Sequence, residues 1–338
     1  MADNSLDLIV DYLRNSGSAY FPRCPEIKFA RVVGHTPKPD HYIYEIVLDF
    51  ADGSERVNAK IYRGRGTGRS AQELARDETQ NLQFAHQTAE RRKLQGVPRP
   101  IGDFSELGAV VSTKVHGLPL QSIIMKVALL PDNGNHHVLE IASRQAGQWL
   151  QQFHKATAGV PSPLDSNSLL SEMERLCAKA QKDGLPAEST DAILITAKSA
   201  FNKQRRPLRS SARLQDFVPL NVLVAEDGVG YCEFASLARQ GHSLMDAATF
   251  LATVEVLEKY PFCNRDITTL VQDAFTEAYG VSSQEQALLD ALKMKVLLQM
   301  FLQGRVIKES AERKKVMWTN VMKRFLQRAA MRSAARVA

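Results

Sequence analysis

The spacing of apolar residues changes about a third of the way along the chain. Before that point, period-two alternation dominates. Runs at 27–33, 42–50 and 56–62 are rich in β-branched and aromatic side chains, and Asp52-Gly53 between the last two is a hairpin turn. They predict an antiparallel meander rather than a βαβ unit. A short amphipathic helix on Leu6, Ile9, Val10 and Leu13, ending near Gly17, precedes them. Ser70-Ala71-Gln72-Glu73 has the form of a capping box and opens a helix running to about Leu94. Segments 100–104 and 108–115 predict another strand pair, and HGLPLQS after them predicts a hinge. From Gln121 onward the period is helical. The clearest helix, 138–155, carries Ile141, Ala146, Trp149, Leu150 and Phe153 on one stripe and ends at His154. Helices at 168–182 and 187–204 follow, the second running into the basic cluster Arg205, Arg206 and Arg209. The exception is 213–234, where apolar runs at 221–225 and 229–234 flank Asp227-Gly228 and predict a hairpin.

Composition narrows the function classes. A chain of 338 residues has room for two lobes, each with its own core. No apolar run approaches the roughly 18 residues that span a bilayer. The first residues are acidic where a signal peptide is basic, so a cytoplasmic location is expected. Cys24, Cys177, Cys232 and Cys263 lie far apart without a C-x-x-C pair, which argues against zinc or a disulfide framework. Neither G-x-G-x-x-G nor G-x-x-x-x-G-K-[ST] occurs, so dinucleotide-fold and P-loop chemistry are disfavoured. The net charge of +6 is uneven: residues 305–338 hold ten basic against two acidic residues, and the remaining 304 sum to −2.

The candidate chemistry lies in two places. The strand VNAKIY sets Lys60 on the face opposite Ala59 and Ile61, and Glu78 stands eighteen residues later on the following helix as a partner for its ammonium. Glu73, Asp77 and Glu90 compete for that role, and the Gly64, Gly66, Gly68 loop reads as a flexible connection. Farther on, Asp216 is followed by Asn221 five positions later and Glu233 twelve beyond that. Phosphoryl transfer from a nucleotide asks for such a set: one carboxylate to receive a hydroxyl proton, and an amide oxygen and a second carboxylate to hold magnesium. Asp and Asn are also common turn formers, which is the plainer reading of 216 and 221. His154, at a helix end, reads as structural.

Taken in order, Lys60, Glu78, STKVHGLPL, AGQWLQQFHKA, LQDFVPLNVLV and YCEFASLARQGHSLMDAATF resemble the aminoglycoside phosphotransferase and choline kinase family over roughly residues 25–280. The most specific part falls on Asp216, Pro219, Asn221, Val222, Leu223, Glu233, Gly241 and Asp246. The resemblance implies an α+β, bilobal, protein-kinase-like fold: a small antiparallel β-rich lobe (1–115) and a large helical lobe (116–304), followed by a separate basic helical tail (305–338) read from charge and apolar spacing alone. It implies ATP or GTP with Mg2+ as cofactors, Asp216 as catalytic base, Asn221 and Glu233 as metal ligands, and Lys60 as phosphate anchor braced by Glu78. Lys114 and Val115 would present backbone groups to the base, and Asp246 would hold the loop above it. The chain departs from the family pattern in three places. Leu214-Gln215-Asp216 stands where His-Gly-Asp is usual, Glu233 where Asp is usual, and Gly34 leads into a long proline-stiffened turn before Tyr42.

The expected activity is transfer of a γ-phosphate to a hydroxyl of a small molecule or saccharide. A kinase-like binding protein that acts through its basic tail is the alternative. The tail, with Val306, Val316, Met317, Val321, Met322, Phe325 and Leu326 among basic residues, reads either as a charged helix packed on the large lobe or as attachment to an anionic membrane at the inner face. Nucleic acid is not expected, because Trp318 and Phe325 are the tail's only aromatic residues.

Overall fold

The computed structural model describes residues 2–21, 26–64, 68–130, 132–303 and 312–335. Cys24, Gly66 and the first part of the basic tail, Val306 included, lie outside these residues, as do the side chains of Val316, Met317 and Trp318. In chain order the elements are α1 (Ala2–Ser16), β1 (Phe29–Pro37), β2 (His41–Asp49), β3 (Ser54–Tyr62), α2 (Ala71–Arg92), β4 (Ala109–Thr113), β5 (Leu118–Pro119), α3 (Leu120–Leu129), α4 (Asn133–Ala156), α5 (Ser166–Lys182) and α6 (Ala187–Lys203). They continue with β6 (Ser210–Arg213), β7 (Val222–Ala225), β8 (Gly228–Tyr231), β9 (Ala238–His242), α7 (Leu244–Val256), α8 (Arg265–Tyr279), α9 (Ser283–Gln303) and α10 (Glu312–Ala335). An antiparallel sheet thus precedes a mostly helical region, as the sequence predicts. The chain divides into two compact units, Met1–Gly117 with Ala225–Leu237, and Leu118–Val224 with Ala238–Ala338.

In the first unit β1 to β4 form one antiparallel sheet in sequential order. Alternation along β3 sends Ala59 and Ile61 into an apolar cluster with Ile9 and Leu13 of α1, Ile46 and Leu48 of β2, and Val111 of β4. Burying Ile9 and Leu13 fully stabilises this face by roughly 1.5–3 kcal/mol per side chain. The other face of β3 carries Lys60 and Tyr62 and meets α2. The capping box forms as predicted: Ser70 Oγ accepts from the Glu73 N–H at 3.1 Å, and the Glu73 carboxylate accepts from the Ser70 N–H at 2.8 Å. Its helix ends where Lys93 turns left-handed, at φ 56°.

Two local expectations are corrected. The stretch after Gly34 is not a long loop. A bulge between Val32 and Gly34 resets the register and β1 continues to Pro37, so the turn before β2 is short and is closed by Lys38 N–H donating to the His41 carbonyl at 2.8 Å. Pro37 is tolerated there because β1 is an edge strand. The predicted strand at 100–104 is only an isolated bridge from Pro100 to Ser112. Proline has no N–H for a ladder, and Gly102 turns left-handed at φ 64°.

The segment around β8 belongs to the first unit because two glycines let backbones touch. The Tyr231 N–H donates to the Gly96 carbonyl at 2.9 Å, and a Cβ on Gly96 would sit 2.2 Å from the Val229 oxygen. A Cβ on Gly230 would lie 2.4 Å from Val115 Cγ1.

The second unit is built on aromatic stacking. Trp149 lies parallel to Phe153 and Phe217 at 5.5 and 5.9 Å, and Phe250 stacks on Phe275 at 4.0 Å. Pairing of β5 with β7 and of β6 with β9 completes it. The sequence reading missed β6 and β9, because SSAR and ARQGH are short, mostly polar runs with no apolar alternation. The tail is resolved toward packing: in α10, Met322, Phe325, Leu326, Ala329 and Ala330 are buried, and the helix packs on α6 and α9. The apolar side chains at 322, 325, 326, 329 and 330 are therefore taken up by the protein's own core. Among the described residues, no helix is long and apolar enough to cross a membrane.

Candidate functional site

In the first unit the residues singled out by sequence converge on one ammonium group. Lys60 sits mid-strand, opposite Ile43 on β2 and Val110 on β4, so its backbone is held on both sides. Its Nζ donates to the Glu78 carboxylate at 3.1 Å and to the two oxygens of Glu233 at 2.9 and 3.2 Å. Glu233 also accepts from the Ala235 N–H at 3.2 Å. Burial alone would pull the Lys60 pKa down, but Glu78 and Glu233 outweigh it and raise it well above the ordinary lysine range. Burial pushes the Glu78 carboxyl up, Lys60 opposes that, and Glu233 adds to it.

Three neighbours were not foreseen. The Tyr62 hydroxyl donates to Glu78, and its ring lies 5.2 Å from Lys60 Nζ. Burial and Glu78 push its phenol up, so it keeps its proton and serves as donor. His41 packs on the Tyr62 ring at 5.8 Å, and burial together with the Lys60 charge holds its imidazole below the usual range. Asn81 Nδ2 donates to the carbonyls of Phe234 and Ala235 at 3.2 and 3.4 Å, fixing the backbone beside Glu233. Spacing was the available signal: Tyr62 shares the Lys60 face at i+2, and Asn81 shares the Glu78 face at i+3. Of the competing acids, Glu73 is spent on the helix cap and Asp77 pairs with Arg69.

Lys114 is elsewhere in its side chain. Its Nζ pairs with Glu45 at 2.8 Å, and its N–H donates to the Arg56 carbonyl at 2.8 Å, extending the sheet beyond β4. Lys114, and then Arg56, hold the Glu45 carboxyl below its usual range. Val115 lies against Gly230.

In the second unit the loop bearing Asp216 and Asn221 is fixed from below. The Asp246 carboxylate, fully buried at the start of α7, accepts from the Leu214 N–H at 2.7 Å and the Gln215 N–H at 3.0 Å. His154 Nε2 meets the same carboxylate at 3.1 Å, and its Nδ1 meets the Tyr279 hydroxyl at 3.0 Å. A carboxylate only accepts, so Nε2 carries a proton and donates to Asp246. Burial pushes the Tyr279 phenol up to about 12, which keeps it a donor. His154 is thus structural, as read from sequence, and its partners come from 92 and 125 residues away. Leu214 is buried, and Gln215 is left-handed at φ 64°, a rare state for a residue other than glycine. Phe217 plugs into the aromatic core, and Asn221 Nδ2 donates to the Asp216 carbonyl at 3.0 Å, which sets the direction of the amide oxygen.

The donor chemistry suits a magnesium nucleotide. One ammonium against two carboxylates leaves the Lys60 cluster one negative charge in excess. Magnesium takes one or two such ligands when phosphates and water supply the rest. Among the described residues, no group of three or more His, Cys, Asp or Glu could hold a metal ion by itself.

No family model and no curated protein matches the sequence. Solved structures do match the fold. A choline/ethanolamine kinase family protein from Mesorhizobium loti aligns with TM-score 0.54 and 11% identity, over 91% of this chain and 92% of that one. A spectinomycin phosphotransferase in complex with ADP and spectinomycin aligns with TM-score 0.53 and 11% identity, over 97% and 98%. A glucosamine kinase in complex with glucosamine, ADP and inorganic phosphate aligns with TM-score 0.51 and 12% identity, over 93% and 97%. The chain therefore has the fold of the kinase-like small-molecule phosphotransferases, as its motifs suggested.

Proposed function

We propose that this protein transfers the γ-phosphate of ATP or GTP to a hydroxyl of a small molecule or saccharide, with magnesium. The observation that carries the reading is the Lys60 ammonium, half-buried on the third strand of the sheet and bonded to Glu78 and Glu233. The neighbours' names support nucleotide use: the spectinomycin and glucosamine enzymes hold ADP.

In this reading Lys60 anchors phosphate oxygens, and Glu78 with Tyr62 keeps its ammonium charged and aimed. Glu233 and Asn221 are the metal ligands, and Val115 lends backbone groups to the base in place of Lys114, whose N–H is spent on Arg56. Bound magnesium nucleotide supplies the phosphoryl group and neutralises charge on its oxygens. Asp216 accepts the acceptor hydroxyl's proton, and the Asp246 and Phe217 anchors hold the loop that aims it. Catalysis is then mostly positioning and electrostatics.

A second reading, a kinase-like binder with impaired turnover, draws on Glu233 being engaged by Lys60 and the Ala235 N–H, and on buried Leu214 standing where the family carries a histidine. One experiment separates the two. Thermal-shift titration of ATP and GTP with and without magnesium is followed by ADP-release assays over amino sugars, aminoglycosides and choline-like alcohols. The first reading expects magnesium to tighten nucleotide binding, and Asp216→Asn to lower turnover by about 10² to 10⁴-fold while sparing that binding. Nucleotide binding indifferent to magnesium, with no turnover on any acceptor, rejects it.

A further inference from the structure

The basic cluster Arg205, Arg206 and Arg209 has no part in the proposed transfer, yet it lines a cavity of about 720 Å³ in the second unit. Lys203 joins it, and the opposite wall is the start of α9, at Ser283 and Glu285. Four cations face one carboxylate there. That carboxylate is already engaged: Glu285 pairs with Arg209 at 3.4 Å and accepts from the Ser282 hydroxyl at 2.7 Å and N–H at 3.1 Å.

The segment is held in place before any ligand arrives. Ser162 and Leu208 exchange two backbone hydrogen bonds at 3.1 and 2.9 Å, and Leu208 is buried. Gln204 Nε2 donates to the Arg206 carbonyl at 2.8 Å, and Arg206 reaches Gln284 at 3.2 Å. Like charges fixed together repel one another and raise the local anion concentration. The first turn of α9, a helix of 21 residues, brings the positive end of its dipole to the same wall, with Glu285 of that turn as the only acid there among the described residues. Arginine forks match phosphate oxygens in pairs. The volume lies within the range of small-molecule pockets.

We propose that this cleft binds a small molecule carrying two or more phosphate groups, at a site separate from the transfer chemistry. The strand β6 stands between Arg209 and the Asp216 loop, about 13 Å of extended chain. The cleft is also tied to that loop: the Arg209 carbonyl accepts from the N–H of Ser243 at 3.3 Å, three residues before Asp246.

Calorimetric titration with inorganic tripolyphosphate at fixed ionic strength tests the proposal on the full chain. The native protein should show a saturable component that Arg205→Gln/Arg206→Gln removes, with about tenfold weaker binding for each arginine lost. Lys179→Gln/Lys182→Gln, on the exposed part of α5, should retain it. Arg205→Gln alone provides the reading should the double variant be poorly folded. An isotherm unchanged by Arg205→Gln/Arg206→Gln overturns the proposal. Sedimentation with phosphatidylglycerol vesicles without any tripolyphosphate component also overturns it, because the cluster would then serve a lipid surface.

Discussion

The Lys60 cluster and the Asp216 loop are held in opposite ways. Around Lys60 the contacts are side chain to side chain: two carboxylates, Glu78 from α2 and Glu233 from just after β8, share one ammonium. Such contacts can be exchanged for others of like charge without moving the chain. Around Asp216 the backbone itself is bound, with two consecutive N–H groups on one buried carboxylate and an aromatic ring driven into the core. That arrangement admits one geometry. The first region can exchange side-chain partners, whereas the second holds its backbone in one place.

The largest effect should come from attacking the still region. Asp246→Ala strands the N–H groups of Leu214 and Gln215 and the His154 Nε2 proton, at about 1–3 kcal/mol each. A loss of about 5 kcal/mol is expected in urea unfolding followed by tryptophan fluorescence. Both tryptophans, Trp149 and Trp318, are in the second unit, so the signal reads that unit. A loss under about 1 kcal/mol would show that the loop does not depend on this carboxylate.

Lys60→Met should cost less, about 3 kcal/mol near neutral pH, because it leaves Glu78 and Glu233 facing each other without their cation. The deficit should shrink as the pH falls. Glu78 already has a raised pKa in the folded state, and losing Lys60 raises it further, so the folded state binds the proton better than the unfolded one. The stability gained is complete below the unfolded value and disappears as the pH rises through the folded one. Calorimetric melting of the variant between pH 5 and 8 checks this, and a pH-independent deficit would mean that Glu78 is not the stranded charge.

The smallest effect sharpens the same picture. His41, beside Tyr62, faces Lys60, Asp40 and Glu233, and its folded pKa is lowered. Its contribution is therefore fully present above about pH 6.5 and is lost as the pH falls toward the folded value. His41→Gln should flatten that decline by under about 1 kcal/mol, read from melting curves at pH 5 and 7.

Much of the first region was legible in the sequence. A strand lysine with apolar neighbours and an acid on the next helix are set by local periodicities, and Lys60 meets Glu78 as spacing suggested. Tyr62 and Asn81 lay on the same faces and could have been read from the same rules. The loop region was legible in its composition but not in its support. Nothing local links His154 to Tyr279, because their contact exists only once α4 has packed on α8, 125 residues farther along the chain. The bulge in β1 and the short pairing of β6 with β9 escaped for a related reason: their registers are decided by neighbouring strands, not by their own residues.

Gln215 carries a consequence for how such a chain can vary over time. Gln215 is an L-residue kept at φ 64°, and the acid at 246 grips its amide at 3.0 Å. Lineages that lose that acid should drift toward glycine at 215, so the two positions are expected to change together, 31 residues apart, with no direct contact between their side chains.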